Sequence, residues 1–153
     1  MKLKIIDFPI INSREKILKI EVKEVEIKTN DRIEIIDITD RIENIVKESS
    51  YSKGILLLYV EHTTSAITIN EYEPNLVDDL KKIIIDIFKP GGNWHHNEID
   101  NNAHAHLASS FIGNSRVLFI DSNRIVMGTW QRILFIELDG PRKRMIKIVY
   151  MGE

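Results

Sequence analysis

Residues 55–88 read ILLLYVEHTTSAITINEYEPNLVDDLKKIIIDIF, and the order of patterns within them decides the fold class. Ile55 to Val60 is an unbroken apolar run, long enough for a buried strand and too short for a helix. Ile67 and Ile69 alternate with polar residues at the period of a second strand. From Pro74 onward, Leu76, Val77, Leu80, Ile83, Ile84, Ile87 and Phe88 trace a helical apolar stripe, with the proline where a helix tolerates it. Pro90-Gly91-Gly92 stops that helix.

Upstream, Leu18, Ile20, Val22, Val25 and Ile27 alternate imperfectly with charged residues, which predicts a half-buried strand with a bulge near Lys23-Glu24. Asn30-Asp31 is a turn signal, and Ile33, Ile35 and Asp37 continue into a second strand, so a hairpin is expected. Thr39 or Asp40 can cap a helix carrying Ile42, Ile45 and Val46 and ending near Gly54. Downstream, Asn93 to Asn102 is a polar stretch behind two glycines, with the length and residue types of a functional loop. Ala103, Leu107, Ala108 and Phe111 predict a short helix ending at Gly113. Strands are expected over 117–120, 125–127, 133–138 and 145–150, separated by turns at Ser122-Asn123 and Asp139-Gly140-Pro141. Helices in the middle and strands on both sides define an α+β class, a mostly antiparallel sheet with two to three helices. One domain over 1–153 is expected, with 1–16 as a short strand or an arm against a partner subunit.

Composition narrows the function. Hydrophobic residues make up 43% and charged residues 29% of the 153, an ordinary globular balance. A chain of this length folds without a metal or disulfide, so any metal would be functional. The formal charge of −2 gives no global positive field for a nucleic-acid backbone, and Arg142-Lys143-Arg144 reads as a solvated turn. The absence of cysteine excludes disulfides, thiolate metal sites and cysteine nucleophiles. Asp7 and Pro9 break the N-terminal segment before it can form a signal-peptide core, and no apolar run approaches the roughly 20 residues of a membrane span. A cytoplasmic protein without a membrane partner is expected.

All five histidines fall in three places: His62, His95-His96, and His104 with His106. Imidazole is the commonest metal ligand and the usual acid–base group near neutral pH. Three segments, from a strand end, a Gly-flanked loop and a helix start, could bring such rings to one pocket. On a helix His104 and His106 are separated by about 200°, so both cannot face one ion, whereas in an extended segment they share a face and both could bind. His106 shares a face with Asn102, Ala103 and Ser110 and is the better ligand; His104 shares one with Leu107, Ala108 and Phe111 and reads as packing. Of His95 and His96 only one ring can easily point inward. Glu71 follows Ile67 and Ile69 on one strand face, where apolar neighbours would suit it to proton transfer. Asp100 could orient a histidine through its second nitrogen. Ser65 lacks a G-x-S-x-G context, so Thr64 and Ser65 are read as holding a phosphate or carbonyl oxygen. Trp130 and Gln131, opening a strand after Gly128-Thr129, could line the same pocket.

These residues also carry a resemblance. His62-Thr63-Thr64-Ser65-Ala66-Ile67-Thr68-Ile69-Asn70-Glu71 resembles the HTSAxLTINE segment of the YjbQ-like family, UPF0047. Pro74, Asp79 and Leu80 match its DPxVxxDL helix start. His96-Asn97, Asp100 and Asn102-Ala103-His104-Ala105-His106-Leu107 resemble its HN…D.NAHAHL stretch. Gly128-Thr129-Trp130-Gln131 and Glu137-Asp139-Gly140-Pro141-Arg142 are similar to its GTWQ…E.DGPR close. The resemblance implies an α+β subunit, a homotrimer, and a pocket where His62, His96 and His106 meet, with a metal in some members. It further implies a secondary thiamine-phosphate synthase activity, joining a pyrimidine diphosphate to a thiazole phosphate. Ala66 replaces a cysteine found in some relatives, which removes any thiol role.

The expectation is thus a metal-assisted enzyme on a small phosphorylated substrate. His62, His96 and His106 hold a divalent ion, zinc first, with magnesium or manganese as alternatives. His62, His106 and Glu71 act on the substrate, and Thr64, Ser65, Asn70, Trp130 and Gln131 bind it. The alternatives are a metal-dependent hydrolase of a phosphorylated metabolite and a metabolite-binding module without turnover.

Overall fold

The computed structural model describes residues 19–153; the expected arm over 1–16 and Leu18 lie outside them. The elements run β1 (Lys19–Lys28), β2 (Glu34–Asp37), α1 (Thr39–Lys47), β3 (Lys53–Val60), β4 (Ser65–Asn70), α2 (Pro74–Phe88), α3 (Ala103–Ile112), β5 (Ser115–Asp121), β6 (Arg124–Val126), β7 (Arg132–Glu137) and β8 (Lys143–Gly152). All strand pairs are antiparallel, in a five-stranded sheet of order β1-β8-β3-β5-β6 and a three-stranded sheet of order β2-β7-β4. This is the α+β class expected from the sequence.

Side-chain parity arranges these parts in layers. Along β7, Ile133 and Phe135 join the cluster with Leu56, Leu58, Ile146 and Ile148 of the larger sheet and with Ile42 and Val46 of α1. The intervening Leu134 and Ile136 join Val77 and Ile84 of α2 and Ala105 and Ala108 of α3. The three-stranded sheet is therefore buried on both faces, which accounts for the continuous apolar run in β7.

Several expectations are corrected. β1 and β2 do not form a hairpin: β1 pairs with β8 and β2 with β7, so Asn30-Asp31 carries the chain from one sheet to the other. No bulge interrupts β1, whose partners run without a break from Lys19↔Gly152 to Lys28↔Lys143. The apparent slip in alternation arises because Val22 lies on the opposite, exposed face from buried Val25 and Ile27. Helix α1 ends at Lys47, well before Gly54. Its N-cap is Ile38, and the Thr39 hydroxyl accepts the Ile133 N–H at 2.7 Å. In α2, Glu73 provides the cap, accepting from the N–H groups of Asn75 and Leu76. Ile83 and Ile87 of its predicted stripe are exposed.

Arg144 is the largest departure. Instead of belonging to a solvated turn, it shares strand parity with Ile146, Ile148 and Tyr150 and points between the sheets, 4% exposed. Glu137 shares parity with Ile133 and Phe135 and points into the same layer, fully buried. Two opposite charges directed into one apolar layer must pair. The Arg144 Nε donates to Glu137 Oε2 at 2.7 Å and Nη2 donates to Oε1. The Leu138 and Asp139 N–H groups and the Thr29 hydroxyl also donate to the carboxylate.

Burial alone would raise the Glu137 pKa, but the bonds from Arg144, the Asp139 N–H and Thr29 outweigh it and hold the carboxyl below its usual range. A depressed carboxylate stabilises the fold above its unfolded pKa, near 4.3, and that contribution disappears as pH falls through the folded value. Glu137→Gln is expected to cost about 3–5 kcal/mol in urea unfolding at pH 7, since it strands a buried guanidinium. Its stability should also fall less steeply than that of the parent chain between about pH 5 and 3.

Candidate active site

The chain leaving β3 at Val60 crosses from the larger sheet to the smaller within the few residues before Ser65. His62 lies on this crossing. Its Nε2 accepts the backbone N–H of Met145 at 3.0 Å, so the residue next to Arg144 holds the ring. The Arg144 Nη2 also donates to Thr64 Oγ1 at 2.9 Å, which ties down the far side of the same crossing. Burial, with the nearby Arg144 charge, lowers the His62 pKa against the opposing pull of Glu137 and Glu61. The ring is therefore biased towards its neutral form.

His62 and His106 line one cavity of about 530 Å³, with Glu61, Thr63, Ser110 and Asn114 among its walls. His106, Ser109, Ser110 and Gly113 follow helical spacing, so one face of α3 and its C-terminus form a wall. Among the described residues the cavity wall contains the Glu61 carboxylate, which accepts from Lys147 Nζ at 2.7 Å, and no lysine or arginine of its own.

The third histidine approaches from the polar loop. That loop is more ordered than a plain connector, folding a short 3₁₀ turn over His95–Glu98. The His96 ring meets that of His106 edge to face, with centroids 4.9 Å apart. His96 Nε2 lies 3.2 Å from Asn102 Oδ1, and Asn102 Nδ2 donates to Asp139 Oδ2 at 3.2 Å. Arg142 in turn donates to the same Asp139 oxygen at 2.8 Å. Burial raises the Asp139 pKa, and the bonds from Arg142 and Asn102 reverse that and leave it lowered.

Asn102 occupies the N-cap position of α3 yet makes no capping bond. Asn97 takes over, its Oδ1 accepting the Ala103 N–H at 3.1 Å. Asp139, rather than the expected Asp100, therefore reaches a histidine, through a buried amide. Sequence reasoning missed this relay because an asparagine before a helix reads first as a cap.

The remaining candidates divide. His95 is exposed, and His104 is buried at 1% exposure beside the Leu138 backbone, where burial lowers its pKa. The packing face of α3 is His104, Ala105, Ala108 and Ser109; Phe111, expected there, is 80% exposed. Thr64 and Ser65 are buried behind the cavity wall, and Thr63 faces it instead. Asn70, Glu71, Trp130 and Gln131 gather at the other end of the β4–β7 ladder, because Ser65 pairs with Glu137 whereas Asn70 pairs with Arg132. At about 3.4 Å per residue, that separation is about 17 Å along the strand. Trp130 is 70% exposed there. Among the described residues no three His, Asp or Glu side chains are grouped so as to hold an ion.

Two antiparallel sheets backed by helices, with imidazoles from a strand crossing and a helix around one cavity, define an α+β protein with a histidine-bearing site. The family description "UPF0047 protein YjbQ-like" matches residues 23–153, and the chain belongs to that family. A UPF0047 protein of Archaeoglobus fulgidus is 43% identical over 123 residues, covering 80% of this chain and 95% of the relative. The UPF0047 protein YugU of Bacillus subtilis is 40% identical over 134 residues, covering 86% and 99%. The crystal structure of a YbjQ-like protein of unknown function from Sulfolobus solfataricus superposes with a TM-score of 0.86 at 42% identity, covering 89% of this chain and 99% of that one.

Asn97 carries a local prediction. Asn97→Ala removes the only side-chain acceptor found for the first N–H of α3 among the described residues. Urea unfolding should show a loss of about 0.5–2 kcal/mol.

Proposed function

We propose that the chain is a metal-assisted enzyme acting on a small phosphorylated metabolite, with secondary thiamine-phosphate synthase-like activity. In that reaction a pyrimidine diphosphate is joined to a thiazole phosphate as pyrophosphate departs. The observation that carries the reading is the shared cavity of His62 and His106, with His96 in ring contact behind His106. The family resemblance supplies the reaction class.

Charge supports metal assistance. The described lining of the cavity supplies no cation of its own, and the Lys147 ammonium beside it is already engaged by Glu61 at 2.7 Å, so a phosphorylated substrate would gain from a bound positive charge. His96 and His106 would supply two ligands of an ion, fewer than a full set: Asn102 engages only Nε2 of His96, and the His106 ring makes no hydrogen bond to a described residue. Zinc is the first choice for imidazole, with magnesium or manganese as alternatives. A bound ion would neutralise charge developing on the departing pyrophosphate. The residues of this chain would do the rest: the Thr63 hydroxyl and Asn114 amide orient the substrate, and the α3 face closes one side of the cavity.

We further propose a homotrimer, in which Asn70, Glu71, Trp130 and Gln131 reach the cavity from a neighbouring copy, Glu71 as the acid–base group. Two features support this. Those residues lie too far along the β4–β7 ladder to reach His62 within one chain. The outer face of the larger sheet exposes Val22, Val117, Phe119 and Val126, the kind of apolar face that a second copy covers.

The test is pyrophosphate release from a hydroxymethylpyrimidine diphosphate in the presence of a thiazole phosphate and added zinc, magnesium or manganese. His106→Ala is expected to lower kcat/KM by about 100-fold or more. Equal release without the thiazole acceptor would mark a hydrolase instead, and tight binding without turnover a binding module.

A further inference from the structure

We infer that His62 is a hydrogen-bond donor to an anionic oxygen of the bound substrate and not a metal ligand, while Asn102 and Asp139 present His96 in the opposite tautomer, lone pair outward. This rests on the functional reading above and reassigns one of the three expected ligands. A neutral imidazole has one lone pair and one N–H. The lone pair of His62 is on Nε2, where the Met145 N–H donates into it at 3.0 Å. Its proton is therefore on Nδ1, which leaves a donor and no free lone pair.

Ligation through Nδ1 would require the proton to move to Nε2, opposite a backbone N–H that is part of β8 and cannot turn away. His96 has the reverse arrangement. Asp139 fixes Asn102 by accepting from its Nδ2, so Oδ1 is the amide atom that faces His96. An amide oxygen accepts only, so His96 Nε2 must carry the proton and Nδ1 the lone pair. A histidine whose second nitrogen donates to a fixed oxygen is the arrangement that orients metal-binding imidazoles. Asn102 and Asp139 are accordingly positioning residues, acting through His96.

The experiment is long-range ¹H–¹⁵N NMR of the histidine rings in the ¹⁵N-labelled full chain at pH 7.5, with His62→Gln and His96→Gln used for assignment. The expected result is Nδ1–H on His62 and Nε2–H on His96, with added zinc moving the His96 Nδ1 resonance and leaving the His62 tautomer in place. Nε2–H on His62, or zinc-induced loss of its Nδ1 proton, would overturn the assignment. Zinc affinity provides a second readout. Asn102→Ala should weaken it about 10–100-fold and return His96 to a mixture of tautomers, while His62→Gln changes it by less than about twofold. A loss with His62→Gln equal to that with His106→Gln would overturn the inference. If zinc did not bind and His62 still carried its proton on Nδ1, the metal reading would fail and the donor assignment of His62 would stand.

Discussion

A buried ion pair between the two sheets is the constraint on which the site depends. Glu137 and Arg144 occupy inward positions on strands of different sheets, and neither can reach water. Each is the other's charge partner, backed by Thr29 and two backbone N–H groups on the carboxylate and by Thr64 on the guanidinium. The pair also fixes what surrounds it. Arg144 extends to Thr64, and the next residue, Met145, holds His62 by its backbone. The carboxylate of Glu137 gathers the N–H groups leading to Asp139, which in turn engages Asn102 and Arg142. Two arms of the candidate site, one ending in His62 and one in His96, therefore start from a single salt bridge. Such a pair contributes little net stability compared with apolar packing, so its place here is more readily explained by the geometry it imposes.

That geometry gives the three histidines different chemical characters. His62 is held from behind by a backbone donor, and burial biases its ring towards the neutral form. His106 stands on the helix face with its ring free of hydrogen bonds to the described residues. His96 is turned by an amide whose orientation a carboxylate determines. An imidazole can donate, accept or ligate according to what its second nitrogen meets, and here His62 meets a backbone donor while His96 meets an amide oxygen. The site is thus better described by its supporting bonds than by a count of histidines.

Much of the fold was legible from local patterns. Helix α2 was recognisable because its proline, glycines and apolar period all agree, and the strands because their turns are marked by Ser122-Asn123 and Asp139-Gly140-Pro141. Pairing was less accessible. The Asn30-Asp31 turn resembles a hairpin turn, and only the tertiary arrangement sends β1 to β8 and β2 to β7. His62 and His106 could be chosen by residue type, spacing and resemblance. Arg144 could not be chosen from its charged neighbours, although a usable signal existed: it falls in step with Ile146, Ile148 and Tyr150. Asn102 left no comparable signal, since its commitment to His96 and Asp139 depends on a residue far along the chain.

The most direct test of this account is native-state hydrogen exchange of the Met145 amide in the parent chain and in a variant with the pair replaced by apolar residues, Glu137→Leu with Arg144→Met. Such a replacement can preserve overall stability, which separates local geometry from global unfolding. The account predicts that Met145 exchanges with the slowest core amides in the parent and at least about tenfold faster than those amides in the variant. Equal protection of Met145 in both proteins would show that His62 is held without the ion pair, and the account would be wrong.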